Sequence, residues 1–190
     1  DGIVELAVSI LTKPGSGEEA ILVIAGRTDF ERELLVDGLD KGTIVSSPSC
    51  NEFWLGEAVI SEDIDQDGMD EILSTEEVHE SCLGAGIIVY GSPRLGVEPE
   101  LDLDEMVTVG EAARVQIPSK KVARIDGGED VDGDGTKEIL LQCGSDVTII
   151  DLHEGRLRGT IEVTDEVLAG TPCKGYRLVG FPFAVTDLLS

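Results

Sequence analysis

An acidic loop that occurs twice constrains this chain more than any other feature. The segment DIDQDGMDEILS runs from Asp63 to Ser74, and DVDGDGTKEILL runs from Asp130 to Leu141. In each copy, carboxylates occupy positions 1, 3 and 5, glycine occupies position 6, and a short apolar run follows. Side-chain oxygens at these positions and a carbonyl at position 7 are typical of a calcium loop, in which the glycine permits a sharp turn. The sequence therefore predicts two calcium-binding turns, each leading into a β-strand.

Position 9 supplies the last predicted ligand of each loop. A helix-flanked calcium loop needs glutamate at position 12, where this chain has Ser74 and Leu141. Glutamate stands at position 9 instead, and the residues after it lack helical periodicity. The alternative is an acidic turn without metal. The predicted calcium ligands are Asp63, Asp65, Asp67, Met69 and Glu71 in the first loop, and Asp130, Asp132, Asp134, Thr136 and Glu138 in the second.

A compact loop with ligands at positions 1, 3, 5, 7 and 9 between two strands resembles the FG-GAP repeat of integrin α-subunit β-propellers and of related bacterial repeat proteins. The run LGAG at Leu83–Gly86 and the strand-like IIVYG after it are similar to the Gly-Ala element and outward strand of that repeat. The resemblance implies a β-propeller fold, calcium as the cofactor, and a structural or adhesive role.

The loop recurs within a longer repeat. The opening DGIVELAVS aligns with DGMDEILST and DGTKEILLQ, which makes Asp1, Asp67 and Asp134 equivalent positions, 66 and then 67 residues apart. Four apolar stretches of strand length follow one another in each repeat, among them PELDLD in the second repeat, and turn residues such as HEGRLRG in the third repeat separate them. We therefore predict an all-β protein with three propeller blades of four antiparallel strands, over residues 1–62, 63–129 and 130–190.

The two ends of the sequence predict a further, degenerate loop. If Asp187 is position 1 of a loop, the missing later positions match those with which the chain begins: Asp1, Ile3 and Glu5. Two explanations compete with a functional one: a segment of a longer propeller protein, or a coincidence of register. The functional hypothesis is that the ends meet in another copy of the chain, which gives a homo-oligomeric ring or a filament.

Composition limits the partners of the chain. Its 39 acidic and 14 basic residues give a formal net charge of −25, which argues against nucleic acid and anionic membrane surfaces as partners and favours cations. No apolar run approaches the roughly 18 to 20 residues of a membrane span, so we expect no membrane insertion.

Four cysteines bear on the location of the protein. They show no CxxC pair, which makes a zinc site improbable. Disulfides pairing Cys50 with Cys82 and Cys143 with Cys173 are favoured, and buried free thiols are the alternative. Disulfides and millimolar calcium sites both indicate a secreted or cell-surface protein.

Catalytic chemistry finds little support in the sequence. The histidines, His79 and His153, lie in polar turns, and the paired carboxylates belong to the predicted metal loops, so we predict that the chain is not an enzyme. The predicted function is that of a calcium-stabilised structural or adhesive module. A lectin that uses Phe53 and Trp54 against a glycan and a non-catalytic segment of a larger secreted enzyme or surface protein are the alternatives.

Overall fold

The computed structural model describes residues 6–11, 19–24, 42–47, 53–55, 59–60, 63–78, 84–117, 122, 124–130, 133, 135–143, 146–151, 156–163 and 178–179. The strands in this part of the chain are β1 (Leu6–Leu11), β2 (Glu19–Ile24), β3 (Gly42–Ser46), β4 (Phe53–Leu55), β5 (Val59–Ile60), β6 (Ile72–Val78), β7 (Ala85–Val89), β8 (Glu100–Asp102), β9 (Ala112–Gln116), β10 (Arg124–Glu129), β11 (Glu138–Cys143), β12 (Asp146–Asp151), β13 (Gly159–Glu162) and β14 (Leu178–Val179). One short helix, α1 (Leu103–Val109), lies between β8 and β9. The described residues are thus mostly β-strand, as predicted.

The described strands form three sheets. The first has the order β1-β2-β3-β8, and the third has the order β10-β11-β12-β14. The second has the order β13-β9-β7-β6-β4, with β5 also paired to β6. The antiparallel pairs link β1, β2 and β3 in the first sheet, β4, β6, β7 and β9 in the second, and β10, β11, β12 and β14 in the third. Within the described residues the sheets do not close into a propeller, so the propeller blades stay a prediction.

Two strands differ from the predicted antiparallel blade. β8 pairs in parallel with β3, and β13 pairs in parallel with β9. Each of these strands therefore joins the sheet built by the preceding repeat. The sequence pattern missed this because alternating apolar residues fix which face of a strand is buried and leave its partner open.

Helix α1 occupies part of a stretch that the sequence analysis assigned to a strand, PELDLD. Asp102 caps the helix, since its Oδ1 accepts hydrogen bonds from the amides of Asp104 (2.8 Å) and Glu105 (3.3 Å). Gly110 ends it with a left-handed φ of 82°. Strand β8 therefore ends at Asp102, and helix α1 begins at the next residue. No helix in the described part of the chain has the length and apolar character needed to cross a membrane.

The second sheet lies between the other two and is buried on both faces. Ile72 and Ile87 belong to an apolar cluster with the first sheet and α1, whereas their neighbours Leu73 and Ile88 belong to a cluster with the third sheet. Successive strand residues point to opposite faces, so a sheet buried on both sides needs a continuous apolar run, as β7 has. The first acidic loop is attached to this central sheet.

Gly86 in β7, the last residue of the LGAG run, lies where a side chain would meet the third sheet. A Cβ atom at this position would lie 2.8 Å from Leu141 Cδ2 and 3.0 Å from Ile125 Cδ1. Both of these side chains come from the third sheet, so the absence of a side chain at Gly86 permits the second and third sheets to pack closely.

Candidate metal centre

The first acidic loop joins β5 to β6 and gathers four carboxylates at one point. Ligand oxygens of Asp63, Asp65, Asp67 and Glu71 all lie within 4.8 Å of one another. These are four of the five residues that the sequence analysis assigned to the first calcium site. The fifth, Met69, lies in the same loop and donates its amide to Asp67 Oδ1 at 2.9 Å.

Backbone amides hold the carboxylates in this arrangement. Asp63 Oδ1 accepts from the amide of Asp67, and Asp63 Oδ2 accepts from the amide of Gly68, both at 2.9 Å. Asp65 Oδ1 also accepts from the amide of Asp67, at 3.1 Å. Gly68 has a φ of +93°, a conformation that glycine adopts without the steric cost of a Cβ. The short side chains and the glycine therefore determine the turn locally.

Glu71 is the fully buried member of the carboxylate cluster. Its Oε2 accepts a hydrogen bond from the amide of Ile64 at 2.5 Å, and its Oε1 accepts one from the amide of Gly91 at 3.5 Å. Burial raises the pKa of the Glu71 carboxyl to about 7, because removal from water disfavours the charged form. The carboxylates of Asp65 and Asp63 add to this rise. A divalent cation would offset the same cost by pairing with the charge.

The donor set fits Ca²⁺. Calcium binds oxygen ligands at about 2.3–2.6 Å, so ligands on opposite sides of the ion lie roughly 5 Å apart. A separation of at most 4.8 Å among the four carboxylates meets this requirement. The ligands are hard oxygens, as Ca²⁺ prefers, and Mg²⁺ is less suited to a cage built mainly from protein oxygens.

Arg156 is a member of this site that the sequence analysis did not predict. Its Nε donates to Asp65 Oδ2 and its Nη2 donates to Asp67 Oδ2. The guanidinium also lies over the ring of Tyr90, 4.9 Å from the centroid. Arg156 is 91 residues from Asp65 in sequence and was assigned to a turn, so no local pattern indicated the contact.

The second loop shares with the first the hydrogen bond from the glycine at position 6 to Oδ2 of the first aspartate, and it differs in the partner of Oδ1. Asp130 Oδ1 accepts from the amide of Gly133 at 2.6 Å, and its Oδ2 accepts from the amide of Gly135 at 3.0 Å. Glu138 is fully buried, as Glu71 is in the first loop. Thr136 is partly buried in the same turn. The predicted ligands Asp132 and Asp134 lie outside the described residues, so this second calcium site stays a prediction.

The two loops are neighbours in the fold. Gln66 Nε2 of the first loop donates to the Gly135 carbonyl of the second at 3.5 Å. Beneath them, a Cβ atom on Gly127 of β10 would lie 3.1 Å from Ile64 Cδ1 and 3.2 Å from Leu73 Cδ1. The first loop and the strand that leads into the second loop are therefore in van der Waals contact.

Several predicted positions fall outside the described residues. These are the ligands of the degenerate loop, Asp1, Ile3, Glu5 and Asp187, and the cysteines Cys50, Cys82 and Cys173. Cys143 is the last residue of β11, and both disulfides stay predictions. Phe53 and Trp54 lie in β4, which pairs with β6 at one edge of the second sheet, and the glycan-binding hypothesis for them stays a prediction.

The resemblance to the FG-GAP repeat is carried by the residues of the two loops and by the LGAG run, and it stays a prediction. Comparison with models of protein families, with curated proteins and with solved structures found nothing that matches this chain.

Proposed function

We propose that this chain is a calcium-stabilised structural module, in which Ca²⁺ bound by the first acidic loop fixes the connection between neighbouring β-sheets. The observation that supports the proposal is the convergence of four carboxylates, from Asp63, Asp65, Asp67 and Glu71, within 4.8 Å. Two of these four side chains are removed from water: that of Asp65 is almost completely buried, and that of Glu71 is fully buried. Such a group of like charges is costly unless cations neutralise it, and Arg156 supplies only one positive charge for the four carboxylates.

Calcium would stabilise the fold by offsetting the repulsion between carboxylates and thereby holding the loop in place between two sheets. The loop follows the edge strand β5 and precedes β6, and its Ile64 packs against Gly127 of the third sheet. A bound ion would hold the carboxylates together and with them the turn that positions Ile64. Since the metal binds the folded loop and not the unfolded chain, its binding free energy adds to the free energy of unfolding.

The setting proposed for this module is outside the cell. Extracellular calcium modules bind their ion with dissociation constants of roughly 10⁻⁴ to 10⁻³ M. The formal charge of −25 favours an environment rich in cations. In this proposal the module acts by adhesion or self-association. The resemblance to the FG-GAP repeat further suggests that its sheets are arranged as the blades of a β-propeller.

Thermal unfolding in calcium and in excess chelator tests the proposal. At calcium concentrations near one hundred times the dissociation constant, binding contributes about 2.7 kcal/mol. For a domain of this size we expect the melting temperature to rise by roughly 5–10 °C. Light scattering under the same two conditions measures whether calcium also promotes self-association.

A matched pair of variants separates calcium binding from a general effect of charge. Asp63→Asn removes a carboxylate from the cluster, whereas Asp70→Asn removes an exposed one from the same loop. Asp63→Asn should lose a large part of the calcium-dependent rise, and Asp70→Asn should retain it. Equal melting temperatures with and without chelator, or equal calcium responses in the two variants, would contradict the proposal.

A further inference from the structure

The acidic cluster already holds a cation that belongs to the chain. Arg156, which precedes β13, donates to Asp65 Oδ2 and to Asp67 Oδ2 through two different guanidinium nitrogens. Its side chain is 28% exposed, and the Asp65 side chain beneath it is only 1% exposed. We propose that Arg156 is a built-in counter-ion that occupies the metal site in the absence of metal and competes with Ca²⁺ for Asp65 and Asp67. This inference rests on the proposed calcium function.

Packing around Arg156 favours this position without any metal. The guanidinium carbon lies over the Tyr90 ring at 4.9 Å from its centroid, a distance at which a cation is attracted to an aromatic face. The Tyr90 hydroxyl in turn donates to the carbonyl of Leu157, the next residue along, at 3.1 Å. Tyr90 therefore holds both the side chain and the backbone of this segment beside the loop. A fork of two donors on two carboxylates is a geometry to which arginine is well suited.

Competition follows from charge and from the use of the same carboxylates. Arg156 pairs with Asp65 and Asp67 and offsets one of their two negative charges, while Asp63 and Glu71 are held by backbone amides. A calcium ion that ligates Asp65 and Asp67 would lie close to the guanidinium, and the two positive charges repel each other in a partly buried site. Calcium binding therefore requires Arg156 to withdraw, and the attraction lost by Arg156 weakens the apparent affinity for calcium.

The same competition couples the metal site to a distant part of the chain. Arg156 lies three residues before β13, which pairs in parallel with β9 on the second sheet. Binding equilibria are reciprocal, so whatever weakens the docking of Arg156 tightens calcium binding, and calcium loosens the docking of Arg156. Arg156 thereby stabilises the folded loop before calcium is present, and its affinity for Asp65 and Asp67 sets the calcium concentration at which the ion displaces it.

The test compares Arg156→Gln with Arg158→Gln. Both remove one positive charge from the same segment, but Arg158 is exposed and lies against Gly110 at the end of α1. Each is made in the full chain carrying Asp130→Asn, which disables the predicted second site, and calcium alone is titrated by calorimetry. We expect Arg156→Gln to bind calcium at least roughly tenfold more tightly than Arg158→Gln, within the usual range of coupling between sites. In chelator, Arg156→Gln should have the lower melting temperature.

The outcomes separate this inference from the proposed function. Calcium binding of equal or lower affinity in Arg156→Gln overturns the competition and leaves the calcium function intact. Calcium binding by Arg156→Gln alone supports the competition in its strongest form. Binding by neither variant, with Arg156→Gln less stable in chelator, overturns both proposals and leaves Arg156 as a permanent partner of the carboxylates. Equal melting temperatures in chelator overturn the role of Arg156 as counter-ion.

Discussion

The two acidic loops hold one oxygen of their first aspartate in the same way and lie in different surroundings. In each loop an Oδ2 atom accepts from the amide of the glycine at position 6, at 2.9 Å for Asp63 and 3.0 Å for Asp130. The glycines Gly68 and Gly135 have φ values of +93° and +92°. The path of the backbone is therefore a property of the motif and does not depend on the sheet to which the loop is attached.

The residue at position 4 has the same left-handed backbone conformation in both loops, although its residue type differs. Both loops need a left-handed residue there, and the second loop supplies Gly133 with a φ of 81°. The first loop supplies Gln66 with a φ of 62°, a conformation that costs a side-chain-bearing residue roughly 1–2 kcal/mol. The first loop thus accepts strain at Gln66, whose side chain reaches the Gly135 carbonyl of its neighbour.

Gly91 packs against the backbone of the first loop, and its substitution is expected to have the largest effect on stability. A Cβ atom at this position would lie 2.4 Å from Met69 Cβ and 2.9 Å from the Asp70 carbonyl oxygen. Since the loop backbone must then move, we expect Gly91→Ala to lower the free energy of unfolding by about 4 kcal/mol, as measured by urea denaturation. The movement also displaces Glu71, which the Gly91 amide contacts, so calcium binding should weaken.

Gly68→Ala is the control for Gly91→Ala. Apart from its chain neighbours, no described residue has an atom within 4 Å of a Cβ at Gly68, so its substitution carries only the cost of a left-handed alanine, roughly 1–2 kcal/mol. A loss at Gly68 as large as that at Gly91 would mean that turn conformation, and not contact with the central sheet, limits the stability of this loop.

Glu71 gives the first loop a pH dependence in the absence of metal. Burial raises its pKa in the folded protein to about 7, above its ordinary value, and the folded state therefore binds the proton more tightly than the unfolded chain. The resulting stability is fully present at pH values below the ordinary pKa and is lost as pH rises through about 7. The neighbouring carboxylates of Asp63 and Asp65 act in the same direction, whereas the amides of Ile64 and Gly91 oppose it.

Urea unfolding in chelator measures this dependence. Between about pH 5.5 and pH 8 we expect Glu71 to account for a loss of about 2 kcal/mol in the free energy of unfolding. Glu71→Gln should remove that part of the loss, because the side chain no longer titrates. Glu105→Gln, on the exposed part of α1, should leave the slope unchanged. An unaltered slope in Glu71→Gln would show that the buried carboxylate is not the source of the pH dependence.

Local residues explain why the candidate site was largely predictable from sequence. Asp63, Asp65, Asp67 and Glu71 lie within one turn, and the hydrogen bonds that orient the aspartates span five residues or fewer. Alternating carboxylates and one glycine therefore contain most of the information that the loop needs. Arg156 is different, because 91 residues separate it from Asp65 and only the packing of the third repeat against the second brings them together.

The fold was predictable in its strands and not in all of their partners. Apolar runs located β6, β7 and β11, because burial leaves a clear pattern in sequence. The parallel pairing of β8 with β3 depends on which sheet lies nearby in the folded chain, and no pattern within the strand states this. Helix α1 has seven residues, too few for helical periodicity to stand out, although Asp102 and Gly110 are suitable caps.

The smallest expected effect tests whether the two loops are interchangeable at position 4. Gln66→Gly relieves a strained left-handed residue but makes the unfolded chain more flexible, so we expect a net gain of about 0.5 kcal/mol in the free energy of unfolding. Gly133→Gln introduces the same strain into the second loop, where a Cβ meets no atom of the other described residues within 4 Å, and should cost about 1 kcal/mol. Urea denaturation of both variants in chelator measures the two changes. Opposite signs mean that one backbone path governs both loops. Destabilisation by both variants would mean that the contact from Gln66 to Gly135 contributes more than the strain costs, and that the first loop is built to touch the second.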